Sequence, residues 1–433
     1  MIFSSSCNAT PQYFYINFTV NFIHISLLEI NPKRAGNPNC SFTNTFLIKE
    51  TIMRHLIEFS LIGLLITTSA VANEVDRPTP PDIPHYCTTE LSVADSGLNY
   101  IQTVDMNRRG QVLGWGYLDV GVKVFLWDKK HGYKFIDALA HELEIPVKAA
   151  ALNDRGQIVS TQPIEPAGAF LRAVIWEQGK DLKFLEPAPG DENSVAADIN
   201  NHGEVAGISG PYPNESPMGE HSVIWDRHGR VTVIPEFPDS TSGRPYAMND
   251  AGRVVGVNNT PGGGRGYIWD RKSGLRAIDG LTSGGVGLPS SINDHGEVVG
   301  SGNFYNYGSH AIFWSEQTGT VDLGDLPGSI ESSYASDINN NRQIVGYATG
   351  EGGSAAVIWD SQRQIHNLNE LLVRDEPDDQ YLYMLGAGKI TDAGWITASG
   401  FDTRDRQYRS FLLTPARRSP MGSYDCSRGK GPG

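Results

Sequence analysis

The chain has 433 residues, 48 of them glycine, and a formal net charge of −14 at pH 7. An acidic chain of this kind is a poor partner for nucleic acids and for anionic membrane surfaces, so we expect it to bind neither. The apolar runs are short, β-branched and bounded by turn residues, and no long helical heptads occur. The composition therefore favours an all-β chain.

The N-terminal part is predicted to lie outside the fold. Residues 53–72 have the order of a secretory signal peptide: a Met, a basic residue, an apolar run, and small residues before cleavage at Ala72. The apolar run is too short to span a membrane. Because such signals stand at the extreme N-terminus, residues 1–52 are interpreted as an upstream extension, disordered or not translated; a genuine upstream tail is the alternative. Residues 73–85 are then a linker, and the protein is expected to be secreted or periplasmic, with no membrane span after signal cleavage.

Two motifs recur in the same phase along the chain. The first is a turn of the type "SINDHGEVVGSG", residues 291–302, and the second is an apolar triplet ending in Trp, such as "VIW" at residues 174–176. Six copies of the turn carry an asparagine at the same position, and the seventh carries a threonine. These residues are spaced 44 to 52 positions apart. They are Asn107, Asn153, Asn200, Asn249, Asn293, Asn339 and Thr391. A period near 45 residues over seven copies predicts a propeller or a solenoid.

Each repeat is predicted to form four antiparallel strands, which make one blade of a β-propeller. In the fifth copy, a type I turn at Asn293 is followed by Gly296, which accepts the left-handed conformation that the turn requires. The sixth copy has Arg342 in the glycine position, so we expect its turn to shift register, because Asn tolerates positive φ better than Arg. The Trp that ends strand three is predicted to lie between neighbouring blades.

The seventh copy supplies only three strands, and the missing fourth is predicted at the other end of the chain. "YCTTEL", Tyr86–Leu91, precedes the first copy as a fourth strand without a first three. We expect a seven-bladed propeller over residues 86–414, in which Tyr86–Leu91 pairs as the outermost strand of the last blade beside Arg409–Leu413. Such closure removes the exposed strand edges of an open array.

This pairing predicts a disulfide bond. It places Cys87 close to Thr414, and Cys426 follows Thr414 by only 12 residues, within the C-terminal tail of residues 415–433. No CxxC motif or Cys/His cluster with zinc spacing is present, so a disulfide between Cys87 and Cys426 suits an oxidising compartment. Two unrelated free thiols are the alternative.

The repeats also resemble a known family. The segments "SYASDINNNRQIVGYA" and "AIFWSEQTGTVDLGDL" are similar to units of the extracellular HAF-repeat proteins of bacteria, and the resemblance covers about residues 86–414. It implies an exported β-repeat protein and carries no activity that could be transferred. Many members end in a membrane sorting segment, whereas the tail "SPMGSYDCSRGKGPG" has none, so the resemblance implies a released protein.

The connections are predicted to divide unequally between the two faces of the ring. Turns between strands one and two and between strands three and four are short and define the hairpin face, whereas the opposite face, the long-loop face, collects the long connections. Long loops on a rigid scaffold commonly carry binding sites. Aromatic side chains predicted there can stack on sugar rings or anchor a protein partner; they are Trp115, Tyr117, Tyr212, Phe304, Tyr305, Tyr307 and Tyr347. The alternative is that each ring only pins its own loop.

A second set of candidates lies two residues before the turn Asn, on the strand predicted to be innermost. Three members are acidic, Asp105, Asp198 and Asp337, and Lys389 takes this place in the seventh copy. On the innermost strand they would line the axial channel and make a partly acidic site for a cation such as calcium. The favoured alternative is that each carboxylate accepts backbone N–H bonds in its own turn, because calcium needs six or more converging oxygens.

Catalytic signatures are absent from the sequence, which contains no G-x-S-x-G, H-E-x-x-H or P-loop motif. We therefore predict a secreted, non-enzymatic binding module, monomeric and without a cofactor. Its long-loop face would bind a glycan or an envelope or extracellular protein. The alternative is a propeller enzyme, a metal-assisted polysaccharide lyase or hydrolase that uses the channel carboxylates, because propeller enzymes build their sites from dispersed residues.

Overall fold

The computed structural model describes residues 15–20, 23–28 and 83–426, the last range with gaps at residues 120, 140–149, 165–169, 212–218, 283–284, 304–307, 328, 351–352 and 419–422. The chain divides into two compact units, residues 1–79 and residues 80–433. In the first unit, Tyr15–Val20 and Ile23–Leu28 form an antiparallel pair. The predicted signal peptide at residues 53–72 lies outside the described residues.

The second unit contains seven four-stranded antiparallel sheets, which are the blades of a β-propeller. The first strands of blades 1 to 7 are Tyr100–Met106, Ala151–Leu152, Asn193–Ile199, Ser242–Met248, Gly287–Ile292, Ser329–Ile338 and Leu382–Ile390. The second strands are Val112–Tyr117, Ile158–Ile164, Val205–Gly210, Val254–Thr260, Val298–Asn303, Ile344–Gly350 and Ile396–Asp402.

The outer half of each blade follows the same order. The third strands are Val122–Asp128, Phe170–Trp176, His221–Trp225, Gly263–Asp270, Ser309–Ser315, Gly353–Trp359 and Tyr408–Pro415. The fourth strands are Gly132–Phe135, Lys183–Leu185, Val231–Val233, Gly274–Ile278, Gly319–Asp322, Ile365–Asn367 and, for blade 7, Tyr86–Leu91. The first strands of successive blades contact one another all round the ring, including those of blades 7 and 1. The predicted seven-bladed, all-β architecture is confirmed.

Among the described residues, helical structure is confined to short connections. The single α-helical turn among the described residues is Val93–Ser96, and the 3₁₀ turns are Asp137–Leu139, Leu368–Glu370 and Asp379–Tyr381. A last strand pair, Arg417–Arg418 with Tyr424–Asp425, lies in the C-terminal tail. None of the helices in the described part of the chain is long and apolar enough to cross a membrane.

The N-terminal strand closes blade 7 as predicted. Tyr86–Leu91 runs antiparallel to the third strand of that blade, with Cys87 opposite Thr414 and Leu91 opposite Ser410. Cys87 is bonded to Cys426, and their Cα atoms are 5.6 Å apart. The closing strand and the disulfide are both confirmed, so the two ends of the propeller are fastened to the same blade.

The core consists of apolar clusters between successive blades, because both faces of each twisted blade pack against a neighbour. One cluster joins each adjacent pair, and the cluster between blades 7 and 1 contains Leu91, Leu412 and Phe125. The Trp residues at the ends of the third strands belong to these interfaces. The indole of Trp225 donates to the carbonyl of Glu186, which follows the preceding blade, at 2.7 Å.

The turn of blade 6 does not shift register, and that prediction was wrong. Arg342 takes the glycine position with a φ of 63°, and its N–H donates to the carbonyl of Asn339 at 3.1 Å, the bond that Gly296 makes to Asn293 in blade 5. A left-handed non-glycine residue costs on the order of 1 kcal/mol. The Arg342 guanidinium also joins this turn to the neighbouring blade, since its Nε donates to Glu297 at 2.8 Å.

Candidate functional site: the axial channel and the long-loop face

The turn asparagines form a one-way ring of hydrogen bonds around the axis. In six blades the side-chain amide donates to the main-chain oxygen of the equivalent residue in the next blade, at 2.9–3.3 Å. The series begins at Asn107, and Thr391 of blade 7 accepts the last bond. The side-chain oxygen meanwhile accepts main-chain N–H groups of its own turn, as Asn293 does from Glu297 at 3.0 Å. Each Asn therefore shapes its own hairpin and also joins it to the next blade.

The residue after each turn Asn belongs to a second ring on the hairpin face. Six of these residues donate their main-chain N–H to a side-chain oxygen of the next member at 2.7–3.1 Å. The members are Arg108, Asp154, Asn201, Asp250, Asp294, Asn340 and Asp392. The Arg108 guanidinium lies 3.0 Å from Asp294 of blade 5 and 3.4 Å from Asp392 of blade 7. Arg108 thus spans the hairpin-face opening of the channel, a space of about 180 Å³.

The predicted channel carboxylates lie next to β-bulges in the first strands of blades 1, 3 and 6. Each of Asp105, Asp198 and Asp337 accepts a main-chain N–H of the next blade at 2.7–2.9 Å. Asp105 and Asp198 also accept the N–H of the residue that follows them, at 2.8 Å. These carboxylates therefore join neighbouring blades, whereas the sequence predicted hydrogen bonds only within their own turns.

Lys389 of blade 7 stands beside the three carboxylates, with its Nζ 3.8 Å from Asp105. Burial alone would lower the pKa of Lys389, but the charges of Asp337, Asp105 and Asp198 hold it above its ordinary value. Burial also raises the pKa of Asp198 to about 7, and the charge of Lys389 opposes this rise only in part. The channel therefore holds a charged lysine and an aspartate that titrates near neutrality.

The chemistry available in the channel is limited by these bonds. No group of three or more His, Cys, Asp or Glu side chains in the described part of the chain is arranged to hold a metal ion. Asp105 and Asp198 already accept main-chain donors from two elements, and Asp337 accepts the N–H of Ile390 and the hydroxyl of Ser291. A calcium site at Asp105, Asp198 and Asp337 stays a prediction. The described channel residues do not offer the converging oxygen ligands that calcium needs.

The long connections do lie on one face, opposite the turn asparagines. They join the second strand to the third and the fourth to the first strand of the next blade, as in the connection across residues 368–381. Of the predicted aromatic candidates, Tyr212, Phe304, Tyr305 and Tyr307 lie outside the described residues. Trp115 is only 4% exposed and packs edge-on against Tyr117 at a centroid distance of 5.2 Å. Their role in binding stays a prediction.

A cavity of about 700 Å³ opens on the long-loop face between blades 4, 5 and 6. Its wall includes Tyr246, Tyr334, Ser290, Ser336 and Asn259, together with the glycine-rich turn at residues 262–264. Tyr246 is 51% exposed. The volume lies in the range of about 300–1,000 Å³ that is usual for small-molecule sites. The described lining carries neutral polar groups, tyrosine rings and four aliphatic side chains, with no Asp, Glu, Lys, Arg or His side chain.

The sequence analysis missed Tyr246 and Tyr334. Tyr246 stands three residues before the turn Asn, at a position that is Ala, Ser, Val or Gly in the other copies. A comparison of the seven copies at this position would have identified Tyr246 as the one large side chain. Its neighbour across the cavity, Tyr334, carries no comparable signal, because its contact with the cavity depends on how blades 5 and 6 are spaced.

Comparisons with known proteins agree with the fold. An oligogalacturonate lyase in complex with manganese is 12% identical over 76% of this chain and 93% of its own, with a TM-score of 0.50. A streptogramin B lyase is 14% identical over 76% of this chain and 98% of its own, with a TM-score of 0.46. A virginiamycin B lyase from Staphylococcus aureus is 11% identical over 72% of this chain and 98% of its own, with a TM-score of 0.43.

At 12% identity the likeness to the oligogalacturonate lyase shows the propeller fold alone, since propellers host many unrelated functions. No protein-family model matches the chain, and no curated protein matches it in sequence. The resemblance to the HAF-repeat proteins therefore stays a prediction.

Proposed function

We propose that the chain is an exported, non-enzymatic binding module that presents its long-loop face to a glycan. The observation that carries the proposal is the cavity beside Tyr246, which combines an exposed aromatic ring with neutral polar groups. A tyrosine ring offers its face to the C–H groups of a sugar, and serine and asparagine side chains both donate and accept hydrogen bonds to its hydroxyls. A rigid ring of blades holds these groups in place before the ligand arrives.

The disulfide supports export. Cys87 and Cys426 are bonded, and such bonds persist mainly in oxidising compartments such as the periplasm or the medium. The acidic charge of −14 disfavours anionic surfaces as partners. We place the protein in one of these compartments, as a monomer.

The bonding of the channel supports a non-enzymatic role. Asp105, Asp198 and Asp337 each hold a main-chain N–H of the next blade, so these carboxylates have a structural function. Arg108 spans the hairpin-face opening. A ligand therefore approaches from the long-loop face, where the cavity lies.

The proposal is tested by glycan-array binding of the protein purified from the periplasm or the medium. Tyr246→Ala is expected to lower affinity for the bound glycan at least tenfold, because it removes the exposed ring of the cavity, whereas Tyr246→Phe keeps most of the binding. Phe184→Ala is the matched control: Phe184 is 46% exposed on the outer strand of blade 2 and lies away from the cavity. Its binding should equal that of the wild type.

Two results would overturn the proposal. One is a panel on which no glycan binds while an envelope or extracellular protein is captured, which would move the function to the protein partner. The other is glycan binding that Tyr246→Ala and Phe184→Ala reduce equally, which would place the site elsewhere.

A further inference from the structure

A second cavity lies on the same face, between blades 7 and 1. It has a volume of about 320 Å³, and its wall includes Tyr100, Tyr408, Ser399 and Gln102 together with Tyr347 of blade 6. Tyr408 is 71% exposed and Tyr347 is 38% exposed. Like the larger cavity, it combines tyrosine rings with neutral polar side chains, and its described lining also contains Arg409.

A stacked pair of tyrosines stands between the two cavities. Tyr334 and Tyr347 are directly opposite each other on the first two strands of blade 6, and their rings stack with centroids 5.5 Å apart and planes 19° apart. Tyr334 lines the larger cavity, and Tyr347 lines the smaller one. The pair is therefore an aromatic wall shared by both cavities.

The electrostatics of the two cavities point to an uncharged ligand. The described lining of the larger cavity has no charged side chain, and Arg409 is the one charged side chain in the described lining of the smaller cavity. Arg409 is already paired with Glu90 at 3.3 Å, with Asp402 at 3.7 Å and with Asp405. An acidic sugar would find no uncommitted cation there, and the net charge of −14 would repel it.

From these observations we infer that the ligand is a neutral, linear oligosaccharide that occupies both cavities and passes over the Tyr334–Tyr347 pair. The inference rests on the proposed function and specifies its ligand. One sugar ring in each cavity and one stacked on the pair give a minimum length of three units. Rings from blades 4, 6, 7 and 1 then contribute to a single binding track across the channel mouth.

The test is titration calorimetry with neutral oligosaccharides of two to six units from the cello-, xylo- and malto- series, with galacturonate oligomers as the acidic counterpart. For the neutral series that binds, affinity should rise at least tenfold between two and four units and then level off. Galacturonate oligomers of the same length should bind at least tenfold more weakly.

Variants separate this inference from the proposed function. Tyr246→Ala should weaken the binding of every length, whereas Tyr347→Ala should abolish the gain from two to four units. Tyr347→Phe keeps the stacked ring and should restore the gain, and unchanged thermal unfolding would show that each variant is folded.

Length-independent affinity that still depends on Tyr246 would overturn the inference alone. Tighter binding of the galacturonate oligomers would also overturn it. Absence of binding by every sugar would overturn both the inference and the proposed function.

Discussion

Six of the joints between blades are alike, and the seventh, between blades 7 and 1, is built differently. At the six regular joints a neutral Asn amide donates to the next blade. At the seventh joint Thr391 has no amide to donate, and charged pairs stand in its place. Lys389 meets Asp105 at 3.8 Å, and Asp392 meets Arg108 at 3.4 Å.

The difference teaches how a ring made from repeats is closed. Blades that are continuous in the chain share the asparagine hydrogen bond and an apolar cluster at each joint, and their connection already keeps them together. Blades 7 and 1 are the two ends of the repeat array. They are held by ion pairs, by the N-terminal strand Tyr86–Leu91 and by the Cys87–Cys426 bond.

The largest effect is expected from opening this covalent link. Cys426→Ser should lower the free energy of unfolding by roughly 5 to 6 kcal/mol, because the bond joins residues 339 apart and restricts the unfolded chain. Chemical denaturation measures the change, and the wild type in reducing buffer should match the variant. An unchanged denaturation midpoint would show that the N-terminal strand holds blades 7 and 1 together without the disulfide bond.

The stability of the protein should depend more on the turn Asn of a regular joint than on Thr391 at the joint between blades 7 and 1. Asn293→Ala removes the donor to Asn339 and the acceptor for Glu297 at a buried position, so we expect a loss of about 3 kcal/mol. Thr391→Ala removes only the acceptor for the N–H of Trp395 and should cost about 1 kcal/mol. Equal losses in denaturation experiments would contradict the distinction between the joints.

The pH dependence of stability tests the joint between blades 3 and 4. Asp198 has a pKa of about 7 in the folded protein, above the ordinary value of 3.8. The folded state therefore holds this proton more tightly, and the stability that it contributes below pH 4 is lost as pH rises to 7. Asp198→Asn cannot titrate, so its stability relative to the wild type should rise by about 3 kcal/mol between pH 4 and 7.

Asp226→Asn provides the control for this measurement. The N–H of Arg230 and its guanidinium lower the pKa of Asp226 to about 2, so its contribution is lost only as pH falls from 4 towards 2. Between pH 4 and 7 the Asp226→Asn curve should run parallel to that of the wild type. A parallel Asp198→Asn curve would mean that Asp198 is already ionised throughout this range.

The smallest effect should come from giving the joint between blades 7 and 1 the asparagine that the other joints have. Thr391→Asn supplies an amide to donate to the carbonyl of Asn107, which already accepts the N–H of Gly110 as its counterparts do in the other blades. We expect a gain of about 1 kcal/mol in the free energy of unfolding. A loss of stability would show that blades 7 and 1 are too far apart for the regular contact.

The features that the sequence predicted are those that depend on local pattern and short chain paths. The recurrence of the turn Asn and of the Trp triplet was enough for seven blades. The missing fourth strand of the last copy located Tyr86–Leu91 and led to the Cys87–Cys426 bond. The observed pairing extends two residues beyond the predicted partner range, to Pro415.

The features that it did not predict depend on distances between blades. The hydrogen bonds between successive turn asparagines, such as the one from Asn107 to Asn153, depend on the distance between neighbouring turns. The sequence of a single repeat does not contain this distance. The left-handed Arg342 donates to Glu297 of another blade. The cavity beside Tyr246 likewise depends on the gap that the glycine-rich turn leaves between two blades.

The one-way direction of the asparagine ring has a consequence for how such a protein can change its size. Each interior blade carries one donor on one side and one acceptor on the other. A duplicated interior blade would therefore satisfy both of its neighbours without any new interface chemistry. Duplication or deletion of a repeat can therefore lengthen or shorten this array between blades 2 and 6, while the specialised end blades are retained and the curvature of the ring adjusts.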